Sequence, residues 1–420
     1  MRFWLRIHFR RIFISNETAI PEKGPVLLAC NHPNSFLDAV AIALLIKRPI
    51  HFLARSDVFR KPAARWILTK LHLIPIYRLQ EGIDNIEKNK DTFRICSEIL
   101  AQGKVLLIFS EGNCVLEKRL RALKKGSARI AFGAEDYSNW NLNIRIIPIG
   151  INYVQPTQFR TELMVSFGNG FSSNEWKTTW GGDPSKAIRE FNERLAPALR
   201  EELLIIPEKK SDDEAEAMLE LRRSTFHYPV FRFRFESNKR LKLEQLLLKD
   251  QLPTIDSDED RFQRFASATS NAGLTSRGSI PYVAKGSSLL ILAGFIPAIA
   301  GFLIHLLPLM LARRIIQTTV RDPKFNSSVM FGTGALLTYI WYSVIAVILL
   351  IVDFRISPVV FIFPGLALSS VLWWELVRQR RNRFQFMIFR QKAPEAFKAW
   401  KHERDELLLQ IHYRDEHVGQ

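Results

Sequence analysis

The last third of this 420-residue chain limits its architecture more than any other feature. Three stretches, 286–312, 325–352 and 356–374, contain no Asp, Glu, Lys or Arg. The first two each exceed the ~20 residues with which a helix crosses a bilayer, and soluble helices are not built this way. Arg313, Arg314, Arg321 and Lys324 flank the first stretch, and Arg378, Arg380, Arg381 and Arg383 follow the last. A net charge of +17 implies either nucleic acid or an anionic membrane surface as partner. The basic clusters sit beside apolar stretches, and the front of the chain has no aromatic-interleaved basic groove, so membrane lipid is expected and nucleic acid is not.

Within the first stretch, Pro297 and Pro308 with Gly294 and Gly301 predict a broken, re-entrant or interfacial segment. Only Asp353, Phe354 and Arg355 separate the second and third stretches, a spacing that predicts a helical hairpin. That arrangement keeps residues 1–285, 313–324 and the tail from Arg378 on the cytoplasmic side of an inner (cytoplasmic) membrane, in line with the positive-inside tendency.

Residues 1–13 carry Arg2, Arg6, Arg10 and Arg11 with no acid, interleaved with Phe3, Trp4, Leu5, Ile7, Phe9, Ile12 and Phe13. A secretory signal needs an uninterrupted apolar core, so the pattern reads as an amphipathic interfacial helix, or alternatively as a first helix packed on the domain. Three scattered cysteines, Cys30, Cys96 and Cys114, fit neither a disulfide framework nor a metal cluster and suit packed thiols in a reducing compartment.

From Gly24 to about Phe171, short apolar runs alternate with helical patterns: 26–30, 50–54, 73–77, 105–109, 144–154 and 163–167. Runs apolar on both faces and separated by helices predict an α/β fold, a mostly parallel sheet covered by helices, followed here by a C-terminal α-helical membrane region. The expected organisation is a basic amphipathic segment over 1–23, an α/β domain over 24–204, a charged helical region and linker over 205–285, membrane-embedded helices over 286–377 and a basic cytosolic tail over 378–420. The linker is read from DSDED at 256–260 and from 267–279, which lack a periodic apolar face.

After the strand VLLAC comes Asn31-His32-Pro33-Asn34-Ser35-Phe36-Leu37-Asp38. In a parallel sheet the loop after a strand is where sites collect. Two readings of the spacing stand. Asp38 fixes the tautomer of His32 as a general-base dyad, or a histidine caps the following helix, whose first turn carries the aspartate.

Four motifs in order resemble the glycerolipid acyltransferase family, which includes 1-acylglycerol-3-phosphate and glycerol-3-phosphate acyltransferases; the resemblance covers about residues 24–170. Asn31, His32 and Asp38 resemble its first motif, Ile74-Pro75-Ile76-Tyr77-Arg78 its second, Phe109-Ser110-Glu111-Gly112 its third and Ile146-Ile147-Pro148-Ile149-Gly150 its fourth. Leu123 to Ala128, with Lys124 and Lys125 before Gly126, is similar to the basic-Gly segment that follows the third. The His-to-Asp gap is one residue longer than usual, and Asn113 and Cys114 replace the usual Thr-Arg, with Lys118, Arg119, Lys124 or Lys125 as candidate substitutes for the missing phosphate-binding arginine.

The resemblance implies a membrane-bound O-acyltransferase of phospholipid synthesis, taking a fatty acyl group from acyl-CoA or acyl carrier protein to the hydroxyl of a glycerol phosphate or lysophospholipid. His32 and Asp38 are then catalytic, and Arg78, Glu111, Gly112 and Lys125 bind the acceptor. The acyl thioester is a co-substrate, and neither a cofactor nor a metal is expected. An imidazole suits proton removal from an alcohol at neutral pH, and no covalent nucleophile is required; Cys30 reads as a packed thiol. Three other readings remain: an acyltransferase of a non-phosphate lysolipid, a non-catalytic membrane scaffold, and a metal-dependent hydrolase, which lacks nearby ligands.

Overall fold

Strands buried on both faces need cover on both sides, and the apolar runs accordingly form six neighbouring strands of one sheet. The computed structural model describes residues 2–77, 87, 89–207, 212–226, 228–236, 238–255, 264–265, 267–269, 271–272, 274, 287–320, 322, 325–351 and 357–417. The strands are β1 Phe9–Ser15, β2 Val26–Cys30, β3 Ile50–Arg55, β4 Leu73–Ile76, β5 Val105–Phe109, β6 Arg145–Tyr153, β7 Thr161–Phe167, β8 Phe171–Ser172 and β9 Arg234–Glu236. Their order is β4-β3-β5-β2-β6-β7-β1-β9, with β8 also on β6. Pairing is parallel except where β6 meets β7 and β8.

The helices of the front part are α1 Arg2–His8, α2 Ser35–Leu45, α3 Pro62–Lys70, α4 Asn89–Ala101, α5 Gly126–Tyr137, α6 Lys177–Gly182, α7 Pro184–Arg200, α8 Asp212–Ser224 and α9 Asn238–Ile255. Alternate residues of the central strands feed two cores. Leu28, Cys30 and Ile149 pack with Leu37, Ala41 and Ile42 of α2 on one face. Leu27, Ala29 and Ile146 pack with Phe132 of α5 and Phe191 of α7 on the other.

The amino-terminal segment departs from the interfacial reading. Only residues 2–8 are helical; Phe9–Ser15 is an interior strand, parallel to both β7 and β9. Its two arginines meet protein acids rather than lipid: Arg10 Nε lies 3.9 Å from Glu375, and Arg11 Nη1 lies 2.6 Å from Glu162, which also meets Arg240 at 2.8 Å. Arg240 in turn bonds Glu244 at 2.7 Å and lies over the Phe13 ring at 4.3 Å. No local window could show this, because the acid lies 151 residues downstream of Arg11.

Burial alone would raise the Glu162 and Glu244 carboxyls, but the arginines around them outweigh it and hold both below the usual carboxylate range. A carboxyl depressed in the folded state contributes stability above its unfolded pKa of about 4.3 and loses it as pH falls through the folded value. Arg240→Ala takes one arginine from each carboxylate, leaving Arg11 on Glu162 and Arg223 on Glu244, and is expected to cost about 1.5–3 kcal/mol. Denaturant unfolding at pH 7 measures that loss, and the deficit of the variant relative to the native protein should shrink as the pH drops below about 4; an unchanged midpoint at pH 7 would refute the assignment.

The region after 204 is likewise packed rather than appended. Met218, Leu219 and Leu221 of α8 and Leu241, Leu247 and Leu248 of α9 form a third core with Phe13 and Met164. DSDED at 256–260 and most of 267–279 lie outside the described residues.

Four long helices complete the chain: α10 Ser287–Thr319, α11 Asn326–Ile351, α12 Ser357–Lys392 and α13 Pro394–His417. Among the described residues α10 and α11 are long and apolar enough to cross a membrane. Two expectations are corrected here. First, α10 runs unbroken through Pro297 and Pro308. A helical proline deprives the carbonyl four residues earlier of its donor, and for Pro308 that carbonyl, Ile304 O, instead accepts the Trp341 indole N–H of α11 at 2.8 Å. Second, among the described residues the expected hairpin partners α11 and α12 pack mainly on α10 rather than on each other, although the Tyr342 ring of α11 meets Phe363 of α12 at 5.8 Å. Gly301 permits the close α10–α12 approach, since a Cβ there would lie 2.2 Å from Leu366 O. The expected hairpin turn 353–355, and Arg321 and Lys324, lie outside the described residues. Nor is the tail from 378 separate: α12 continues to Lys392, and Trp400 and Leu407 of α13 enter the third core.

Candidate active site

β2 ends at Cys30, and the chain turns over the carboxyl edge of the sheet before α2 begins at Ser35. Asn31 anchors the start of that turn to β6, accepting from Ile151 N at 2.8 Å and donating to Ile151 O at 2.9 Å. Asp38 falls in the first turn of α2, where the helix turns its side chain back over the loop. His32 Nδ1 lies 2.9 Å from Asp38 Oδ2, and that oxygen also accepts from Asn34 N–H at 2.8 Å. Asp38 Oδ1 accepts from the Tyr153 hydroxyl at 2.7 Å. Asp38 is fully buried, whereas the His32 side chain retains 16% of its exposure. A carboxylate facing Nδ1 places the proton there and leaves Nε2 with its lone pair directed away from Asp38. The imidazole is stacked on Phe109, with centroids 3.7 Å apart and planes 9° apart.

The next motif lies beside it because β5 is the neighbour of β2. Ser110 N–H donates to Cys30 O at 2.9 Å, and Val115 N–H donates to His32 O at 3.1 Å, so the two loops are joined through their backbones. Gly112 sits at φ +74°, a left-handed conformation, and a Cβ there would approach Lys124 Cγ to 3.1 Å. Glu111 is buried and receives Arg121 Nε at 2.9 Å and Nη2 at 2.5 Å; Arg121 Nη2 also donates to Asn113 O. Burial pushes the Glu111 carboxyl up, opposed by Arg121 and by the neighbouring His32.

The remaining candidates fall into three groups. Arg78 lies outside the described residues. Lys124 and Lys125 are exposed just ahead of α5. Lys118 and Arg119, candidate substitutes for the missing arginine, are held by Glu216 and Asp212 of α8. They line a pocket of about 150 Å³ with Asn31, Pro33 and Tyr153. Cys30 is fully buried, and burial followed by the Asp38 charge pushes its thiol well up, as befits a packed side chain. Among the described residues no group of three or more His, Cys, Asp or Glu could hold a metal ion.

Three neighbours of the dyad loop escaped sequence reasoning. Arg121 was hidden in the basic run 118–125, Tyr153 is one apolar-strand residue among many, and Ser328 of α11 lies 291 residues from its partner Leu37.

Residues 11–152 match the family model described as Acyltransferase. This segment is similar to an acyltransferase domain. It begins inside β1, ahead of Gly24. Among curated proteins the chain is 27% identical over 158 residues to a 1-acyl-sn-glycerol-3-phosphate acyltransferase of Chlamydomonas reinhardtii, covering 37% of this chain and 43% of the algal one. It is 38% identical over 72 residues to glycerol-3-phosphate O-acyltransferase 1 of Saccharomyces cerevisiae, covering 17% and 9%. The chain thus spans less than half the length of either relative. A crystal structure of the 1-acyl-sn-glycerophosphate (LPA) acyltransferase of Thermotoga maritima aligns with a TM-score of 0.34 at 15% identity, over 47% of this chain and 72% of that one. His32, Asp38, Glu111 and Gly112 all lie within the segment that matches the family model.

Proposed function

We propose that the protein is a membrane-bound O-acyltransferase that moves a fatty acyl group from an acyl thioester, acyl-CoA or acyl carrier protein, to the hydroxyl of a glycerol phosphate or lysophospholipid. The observation that carries this reading is the buried Asp38 carboxylate on Nδ1 of a partly exposed His32, at the carboxyl edge of a parallel sheet. Nε2 takes the proton of the acceptor hydroxyl as its oxygen attacks the thioester carbonyl. The C–S bond then breaks, the thiolate leaves with the proton returned from the imidazolium, and no further cofactor takes part. Asp38 holds the tautomer and stabilises the imidazolium, while Tyr153 and Asn34 hold Asp38. α10 and α11 anchor the protein in the membrane, with the acyltransferase domain on the cytoplasmic side.

Arg121 supplies the cation that the third motif lacks at position 114. Its Nε and Nη2 are spent on Glu111 and Asn113, and its other edge is presented to an acceptor phosphate, with Lys125 at the rim. A guanidinium–phosphate contact is worth about 1.5–3 kcal/mol, so Arg121→Ala should raise KM for a phosphorylated acceptor about 10- to 100-fold and leave donor KM unchanged. Equal losses against both substrates would point to misfolding instead.

A non-phosphate lysolipid is the second reading of the acceptor, favoured by Asn113 and Cys114 at the place of Thr-Arg. Lipid mass spectrometry of the reconstituted protein, offered phosphorylated and unphosphorylated acceptors with each donor, tests both. Absence of any thioester-dependent acylation would leave the scaffold reading.

A further inference from the structure

The dyad loop is secured from outside the acyltransferase domain. The first N–H groups of a helix have no partner within it and need one from elsewhere. At α2 the residue in the capping position, Asn34, does not serve them with its side chain: its amide nitrogen donates to Pro156 O at 2.8 Å, and its Oδ1 accepts from none of them. Ser35 N–H instead donates to Cys114 Sγ at 2.9 Å, and Leu37 N–H donates to Ser328 Oγ at 3.0 Å. The Ser328 hydroxyl donates onward to Asn34 O at 2.8 Å. One side chain of α11 therefore bridges two backbone groups, Asn34 O and Leu37 N–H, within the turn that joins His32 to Asp38.

Neighbouring residues reinforce the contact. Ser327 Oγ donates at 2.5 Å to Pro156 O, the carbonyl already used by Asn34. Phe331, one turn on, enters the core that contains Leu37. Ser327 and Ser328 are each 1% exposed. Other hydroxyls of α11 behave differently: Thr333, Thr338 and Ser343 bond back to the carbonyl four residues earlier in their own helix, the usual outlet for a hydroxyl in an apolar helix.

We infer that Ser328 is a positioning residue for acyl transfer: the apolar helix α11 caps α2 through its hydroxyl and holds the turn carrying His32 and Asp38 in register. This rests on the dyad reading of those two residues. It makes the C-terminal helices part of the scaffold of the active site as well as an anchor.

The test uses the full-length protein in lipid nanodiscs, comparing Ser328→Ala, Ser328→Thr and Ser343→Ala. A misplacement of about 1 Å costs up to about 10²-fold in rate. Ser328→Ala should therefore lower kcat by about 10- to 100-fold with KM for both substrates nearly constant. Ser328→Thr, which keeps the hydroxyl, should restore most of that loss, and Ser343→Ala should match the native protein. Amide deuterium exchange of peptides spanning 34–45 should accelerate in Ser328→Ala alone. Native kcat in Ser328→Ala overturns the positioning role, and native exchange in α2 overturns the cap. Exchange does not depend on turnover, so a failure of the dyad reading, seen as an active His32→Ala, is distinguishable from a failure of the cap.

Discussion

His32→Ala is expected to lower acyl transfer by about 10²- to 10⁴-fold, the usual contribution of a positioned general base, while the protein stays folded and membrane-associated. The fold should survive because the ring lies at the edge of the site. It stacks on Phe109 and retains 16% exposure, and its removal opens space toward solvent rather than a closed core cavity. Asp38 also keeps two of its three donors, Asn34 N–H and the Tyr153 hydroxyl, so no buried carboxylate is orphaned. Turnover of an acyl thioester by purified protein, with co-flotation on liposomes as the control, reads both halves of this expectation. Near-native turnover in the variant would remove His32 from the chemistry.

What could be read from the sequence follows the range over which each signal acts. Strands β2 to β7 were legible because runs such as 26–30 are apolar on both faces, a pattern complete within five residues. β1 was not, since Arg10 and Arg11 in a local window argue for an interface, and the acids that neutralise Arg11 come from elsewhere in the chain. The prolines of α10 suggested a break on local grounds, and one of them is accommodated by a tryptophan of the next helix. The same limit applies to the site. His32 and Asp38 share one loop and were singled out as a pair, and the structure places them 2.9 Å apart. Tyr153 reaches Asp38 from 115 residues away and Ser328 reaches Leu37 from 291, with no periodic pattern to announce either. Glu111 was legible as a candidate but its partner was not, because one arginine in a run of five basic residues carries no signal of which will turn inward.

Asp38→Asn separates the carboxylate's charge from its shape. Asp38 Oδ2 faces two N–H donors, His32 Nδ1 and Asn34 N, and Oδ1 faces the Tyr153 hydroxyl. An asparagine can keep its carbonyl oxygen toward the two N–H groups and turn its NH₂ to Tyr153, whose hydroxyl rotates to accept. The loop then stays in place, and the imidazolium loses the negative charge that stabilises it. If the amide flips, its NH₂ faces Nδ1, the proton moves to Nε2, and the base is lost outright. Both outcomes lower the rate, and by analogy with a serine-protease triad, where the same change costs about 10⁴-fold, the expected loss is about 10²- to 10⁴-fold. The decisive measurement is the double variant. Asp38 acts only through His32, so His32→Ala with Asp38→Asn should be scarcely slower than His32→Ala alone. Losses that multiply would mean that the two residues act independently, and the dyad would have to be abandoned even though each single variant had behaved as expected.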